Sequence, residues 1–206
     1  LQLIDSPGKI VAGEVLYRGM DLLSLSEHKM RNIRGNKISI IFQDPMTSLN
    51  PLFPVGYQII ETILAHEEVS KNKAYKRAVS LLNDTGITDA EKRFGDYPHQ
   101  FSGGMRQRVM IAIALACNPD IIIADEATTA LDVTIQAQIL DVFRSLVRKR
   151  KTSVIFITHD LGIIAELCEK VVVMYAGKVF EYGKTIDIFE DPKHPYTIGL
   201  LSSLPE

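Results

Sequence analysis

Apolar side chains follow two rhythms along this chain. In three places, Lys37 to Gln43 (KISIIFQ), Ile121 to Glu126 (IIIADE) and Ser153 to His159 (SVIFITH), isoleucine, valine and phenylalanine crowd together and then stop at a polar side chain. Such runs predict strands buried on both faces, as in a parallel sheet covered by helices. In a parallel sheet the three polar tips share one edge, the edge at which ligands bind. Elsewhere the spacing is helical. Val55 to His66 and Lys71 to Asp84 read as amphipathic helices, as does Val133 to Arg150, with Ile135, Ile139, Val142, Phe143, Leu146 and Val147 on one stripe meant for the sheet. Gly103 opens a further helix whose middle, Val109 to Cys117, is apolar nearly all round and therefore buried. Val171 to Met174 and Lys178 to Tyr182 form a hairpin around Ala176-Gly177.

This order of elements divides the chain. Residues 1–43 and 115–183 carry the strands of an α/β core, 44–114 form an inserted helical subdomain, and 184–206 are a C-terminal tail. Composition alters little. The 206 residues are 46% hydrophobic and 23% charged with a net charge of −2, so no global field favours nucleic acid or an acidic membrane surface. Val109 to Cys117 is too short to span a bilayer. Cys117 and Cys168 lie far apart without metal-ligand spacing and read as buried reduced thiols. Leu1 is neither an initiator methionine nor part of a signal peptide, so the chain is expected to be a fragment whose start lies upstream.

The chemistry gathers at the strand tips. Asp125 and Glu126 are adjacent carboxylates at the end of an apolar run, costly to bury unless a hydrated magnesium ion and a nucleotide phosphate meet them; the alternative is a solvated acidic turn. Ser102-Gly103-Gly104 opens a helix, so backbone N–H groups at its positive end can approach phosphate oxygens, although a plain N-cap has the same appearance. Singly, Gln43 is equally an amide capping a strand and His159 a satisfied core histidine. The basic run Arg148 to Lys151 ends a helix and complements its dipole, with nucleic-acid contact as the lesser alternative.

Taken in order, these pieces resemble the nucleotide-binding subunit of an ATP-binding cassette (ABC) transporter. Phe101 to Met105 is similar to the signature motif, Ile121 to Glu126 to Walker B, and Thr129 to Asp132 (TALD) to the D-loop; Gln43 matches the Q-loop glutamine and His159 the switch histidine. The resemblance implies a P-loop NTPase (RecA-like) α/β fold that binds ATP and Mg2+. It implies that Asp125 holds magnesium partly through water, that Gln43 completes the metal shell, and that Glu126 polarises the attacking water. His159 would contact the γ-phosphate. Ser102, Gly103 and Gly104 would grip ATP held by an opposite subunit, and Asp132 would lie at the same nucleotide interface. That division of labour suits phosphoryl transfer, in which positioning and electrostatics do most of the work.

The phosphate-cradling GxxxxGK[ST] loop is absent from these 206 residues. Gly8-Lys9 is followed by Ile10, and Gly183-Lys184-Thr185 ends a segment that reads as a strand. The chain alone is therefore expected to bind ATP weakly, not to hydrolyse it, and to be marginally stable. Met105 replaces the signature glutamine, and Ala127 stands where a proline usually follows the catalytic glutamate.

Asp44 to Val55, Pro98 to Arg108, Asp132 to Gln138 and the tail around His194-Pro195-Tyr196-Thr197 resemble the dipeptide, oligopeptide and nickel importer branch, D type. This implies a sibling ATPase subunit in a homo- or heterodimer, two membrane permeases, an extracytoplasmic binding protein acting indirectly, no nucleic acid, and a place on the cytoplasmic face of the membrane. The competing expectations are a soluble ABC ATPase acting on DNA or the ribosome, and a non-catalytic truncated module.

Overall fold

The computed structural model describes residues 1–4, 6–43, 48–127 and 133–203, and the chain forms two compact units, 1–155 and 156–206. The first unit opens with a hairpin that the apolar pattern does not announce. Strands β1 (Leu16–Tyr17) and β2 (Met20–Asp21) pair antiparallel across Arg18 and Gly19, at φ 50° and 79°. Two consecutive left-handed residues match the right-handed twist of a tight hairpin. The Asp21 carboxylate then accepts from the backbone of Val15 at 3.2 Å and of Leu23 at 3.0 Å, starting a 3-10 turn that leads to α1 (Glu27–Arg31).

Strands β3 (Ile38–Ile41) and β4 (Ile121–Asp125) pair in parallel, and β5 (Ser153–Ile157) completes the order β3-β4-β5. The register runs from Ile38 opposite Ile121 to Ile41 opposite Ala124. Ile122 and Ala124 are fully buried, whereas Ile121 and Ile123 pack, half-buried, against a cluster of Tyr17, Leu22, Met30, Ile33 and Ile38. Two-sided burial was the expectation, yet Ile155 and Ile157 of β5 are about half exposed (52% and 49%). An unbroken apolar run puts apolar side chains on both faces and so cannot report which face is covered.

Further described helices of this unit are α2 (Val55–His66), α3 (Lys71–Asp84), α4 (Ala90–Arg93), α5 (Gly103–Ala114) and α6 (Val133–Arg150). Helix α5 packs on α2, α3, α6 and β3, which explains why it is apolar nearly all round. Ile59, Ile63, Ala74, Ala78, Leu81, Leu82, Val109 and Leu115 are essentially inaccessible, and each large member contributes roughly 1.5–3 kcal/mol by burial. The expected stripe of α6 is buried at Ile139, Phe143 and Leu146. Arg150 at its basic end pairs with the Asn118 side chain and with Asp84 at 3.4 Å, so this cation has a structural use.

Cys117 lies in this core, its thiol 3.6 Å from the Thr62 carbonyl. Burial first, and then the Glu67 carboxylate, push the thiol up to about 11. At pH 8 roughly one Cys117 in a thousand is then thiolate, the nucleophilic form. A disulfide exchange reagent should therefore modify Cys117 of the folded chain about a hundred-fold or more slowly than that of the urea-unfolded chain. Equal rates would mean the site is open.

The second unit holds the end of β5, then α7 (Leu161–Leu167), β6 (Lys170–Tyr175), β7 (Lys178–Lys184), α8 (Thr185–Glu190) and α9 (Pro195–Ser202). Strands β6 and β7 pair antiparallel around Ala176 and Gly177, at φ 47° and 76°, as their sequence predicts. Val171 and Val173 pack on Ile188, with Tyr196 and Leu200 against them. The tail is fastened by Glu181, whose carboxylate accepts from the backbone of Lys193 at 2.7 Å and of His194 at 3.1 Å. Gly183-Lys184 ends a strand, in agreement with its exclusion as a nucleotide loop.

Candidate nucleotide site

The parallel pairing of β3 with β4 brings two of the expected site residues together. Gln43 lies two residues beyond the end of β3, and Glu126 is the first residue after β4. The Gln43 side-chain amide Nε2 donates to Glu126 Oε2. Asp125, the last residue of β4, is half-buried beside them, as is Glu126. Glu126 itself adopts φ 46°, a left-handed conformation that non-glycine residues rarely take and that recurs at functional sites. A proline at position 127 would push the preceding residue toward extended backbone; Ala127 imposes no such restriction.

The glycine-led turn has its own supports. Tyr97 N donates to Gln100 Oε1 at 2.7 Å and Arg106 Nε to the Pro98 carbonyl at 2.7 Å, while Arg93 lies over the ring of buried Phe101. Ser102 caps α5, its hydroxyl accepting from Met105 N at 3.4 Å. Ser102 and Gly103 are exposed at the helix N-terminus, where an anion meets unpaired N–H groups and the positive end of the dipole. Gly104 has a second reason to be glycine, which the sequence does not disclose. A Cβ there would stand 2.7 Å from Ile135 Cγ2, so α5 and α6 approach through it.

His159 lies, exposed, between β5 and α7 in the second unit, one residue before Asp160, which caps α7 by accepting from Gly162 N at 2.9 Å. Asp132 and the rest of the Thr129 to Asp132 stretch fall outside the described residues.

The donor set near β4 suits magnesium. An amide carbonyl and a carboxylate are hard oxygen ligands, and magnesium takes only one or two carboxylates while keeping much of its water shell. Among the described residues no group of three or more His, Cys, Asp or Glu side chains gathers to make a cage for a more demanding ion.

A further feature escaped sequence reading. Buried Gln58 donates from Nε2 to the carbonyls of Asn50 at 3.0 Å and Phe53 at 2.9 Å, and its Oε1 accepts from Asn50 N at 3.0 Å. This satisfied amide fixes the turn that displays Leu52 (77% exposed) and the stacked rings of Phe53 and Tyr57, 5.3 Å apart. Polar residues inside a helical stripe signal such pins only once their neighbours in space are known.

Comparison with known proteins identifies the family. A family model described as "ABC transporter" matches residues 1–129, and one described as "Oligopeptide/dipeptide transporter, C-terminal region" matches residues 180–206. The oligopeptide transport ATP-binding protein OppD of Bacillus subtilis is 59% identical over 199 residues, 97% of this chain and 56% of OppD. AmiE of Streptococcus pneumoniae, also an oligopeptide transport ATP-binding protein, is 54% identical over 99% of this chain and 58% of its own length. The dipeptide transport ATP-binding protein DppD of Escherichia coli is 52% identical over 99% of this chain and 62% of its own length. The chain thus spans little more than half the length of these relatives. Among solved structures, the ATP-binding cassette MJ0796, in a dimeric post-hydrolysis state bound to ADP and Pi, superposes with a TM-score of 0.75 at 29% identity, covering 85% of this chain and 74% of that one. The paired strands ending in Gln43 and Asp125-Glu126, the capped glycine turn and these likenesses lead to one conclusion: the chain belongs to the ABC transporter family, in its ATP-binding part.

Proposed function

We propose that this chain is the energy-coupling ATPase portion of a peptide importer. The observation that carries the reading is the Gln43–Glu126 hydrogen bond at the shared tip of β3 and β4. It places an amide, suited to a cation, beside a carboxylate suited to water. In this reading Asp125 and Gln43 hold magnesium, which neutralises charge on the transferring phosphate. Glu126 accepts a proton from water as the water oxygen bonds to the γ-phosphorus and the bond to the bridging oxygen breaks. His159 stabilises charge on the γ-phosphate, and Asp132 lines the interface. Ser102, Gly103 and Gly104 hold the nucleotide of a sibling subunit, so ATP closes the pair and hydrolysis reopens it.

The peptide assignment draws on the oligopeptide and dipeptide relatives and on the tail matched at residues 180–206. No described helix is long and apolar enough to cross a membrane. In this reading coupling passes through permeases at the cytoplasmic face. The subdomain proposed at 44–114 offers them Leu52, Phe53 and Tyr57. A photo-crosslinker at Tyr57, introduced as Tyr57→Cys and coupled through its thiol in the assembled transporter, should yield an adduct with a permease. Recovery of nucleic acid or ribosomal protein instead would favour the soluble ABC ATPase reading. A permease adduct with transport of nickel rather than peptide would correct the substrate alone.

A further inference from the structure

Gln58 and Gln107 are both buried in the helical part of the first unit, and the fold treats them differently. Gln58 is satisfied at both ends by the backbone of Asn50 and Phe53. Gln107 of α5 is 1% exposed, and neither its Oε1 nor its Nε2 has a hydrogen-bond partner among the described residues. An amide offers two N–H groups and two lone pairs, and leaving them unpaired inside a protein is strongly unfavourable. Methionine would fill similar space without that penalty. The surroundings narrow what can answer the amide. Side chains of a helix lean toward its N-terminus, so Gln107 lies over the preceding turn, where positions 103 and 104 are both glycine. A Cβ at Gly104 would already meet Ile135 and Ile139 of α6, and Met110 and Ile111 lie buried one turn further along α5. These side chains are apolar. The cations next to Gln107 in sequence reach elsewhere: Arg106 Nε donates to the Pro98 carbonyl at 2.7 Å and Arg108 Nη1 to the Thr85 carbonyl at 2.8 Å.

We infer that Gln107 is an internal hydration site: its amide holds an ordered water molecule beneath the glycine turn, beside the contact of α5 with α6. Water both donates and accepts, as an amide requires, and carries no charge into an apolar setting. A cation would use the carbonyl and leave the N–H groups bare, and an anion would do the reverse. Buried waters serve this purpose in globular proteins generally, each making about three hydrogen bonds to groups that the chain itself leaves unpaired. The inference stands apart from the nucleotide reading, because it follows from burial and hydrogen-bond chemistry alone.

Nuclear magnetic resonance reads such a water directly. In the chain labelled with 15N and 13C, the Gln107 side-chain NH2 pair is assigned through its bonded carbons, so the assignment needs no variant. Cross peaks from this pair to the water resonance are then recorded in the laboratory frame and in the rotating frame. A water that tumbles with the protein gives cross peaks of opposite sign in the two experiments, whereas surface hydration gives the same sign. Opposite signs at the Gln107 NH2 pair are the expected result. The absence of any water cross peak there overturns the inference, and two further readings say how. A strongly downfield NH2 pair would mean that a protein group accepts its hydrogen bond. An amide left bare would instead show in Gln107→Met, whose melting temperature should then rise by about 3–6 °C because an unpaired buried group has been removed.

Discussion

With Glu126 as the general base proposed above, Glu126→Gln should reduce ATP turnover by about 10²- to 10⁴-fold in a preparation competent for ATP hydrolysis, the range typical for loss of a positioned general base. The substitution changes almost nothing else. Glutamine has the shape of glutamate, and its carbonyl still accepts the Gln43 amide, so the turn after β4 and the half-buried setting are retained. What is lost is the capacity to take a proton from water. The defect should consequently fall on kcat, with the KM for ATP nearly unchanged, because nucleotide binding uses other groups. Single-turnover measurement with pre-bound ATP separates this from slow product release. A variant hydrolysing within a few-fold of wild type would remove Glu126 from the chemistry.

The second large effect concerns stability and lies in the helical part of the first unit. Replacing a glycine inside a helix by alanine ordinarily stabilises by roughly 0.5–1 kcal/mol. At Gly56 the sign should reverse. A Cβ there would stand 2.4–2.5 Å from three atoms of the Phe94 ring, closer than carbon atoms approach. The ring has little freedom to retreat. It meets Tyr75 edge-on at 4.7 Å, and its own backbone carbonyl accepts from Gly56 N at 3.1 Å. Gly56→Val should therefore cost about 3 kcal/mol, the upper part of the range for overpacking. For a chain of this length that lowers the melting temperature by about 6–12 °C. Thermal unfolding followed by circular dichroism measures it, and a melt unchanged within a degree or two would show that the ring moves freely.

Much of this could be read from the sequence, for identifiable reasons. Isoleucine runs ending in Gln43, Glu126 and His159 mark strands and their tips, because β-branched side chains and polar termination are local properties. Ser102 marks a helix start for the same reason, and the left-handed pair Ala176-Gly177 marks its hairpin. Register is not local. Nothing in KISIIFQ or IIIADE says that position 43 stands beside position 126 rather than one residue away, and only pairing decides it. The hairpin at Arg18-Gly19 escaped because strands of two residues have no periodicity to detect. The β5 isoleucines were expected to be buried and are half exposed, since an unbroken apolar run is compatible with cover on one face or both. The Gln58 pin was invisible for yet another reason: its partners are backbone carbonyls, which every residue possesses.

The tight passage between Gly104 and Ile135 complicates any attempt to read phosphate recognition from mutants of the glycine turn. A methyl group added at 104 wedges apart two long helices at the same time as it crowds the anion proposed to bind there, so a dead variant has two independent causes of death. Trimming the opposing isoleucine restores room on one side only. The pair, substituted together, is the smallest unit in which the anion's share of the damage can be told from the scaffold's.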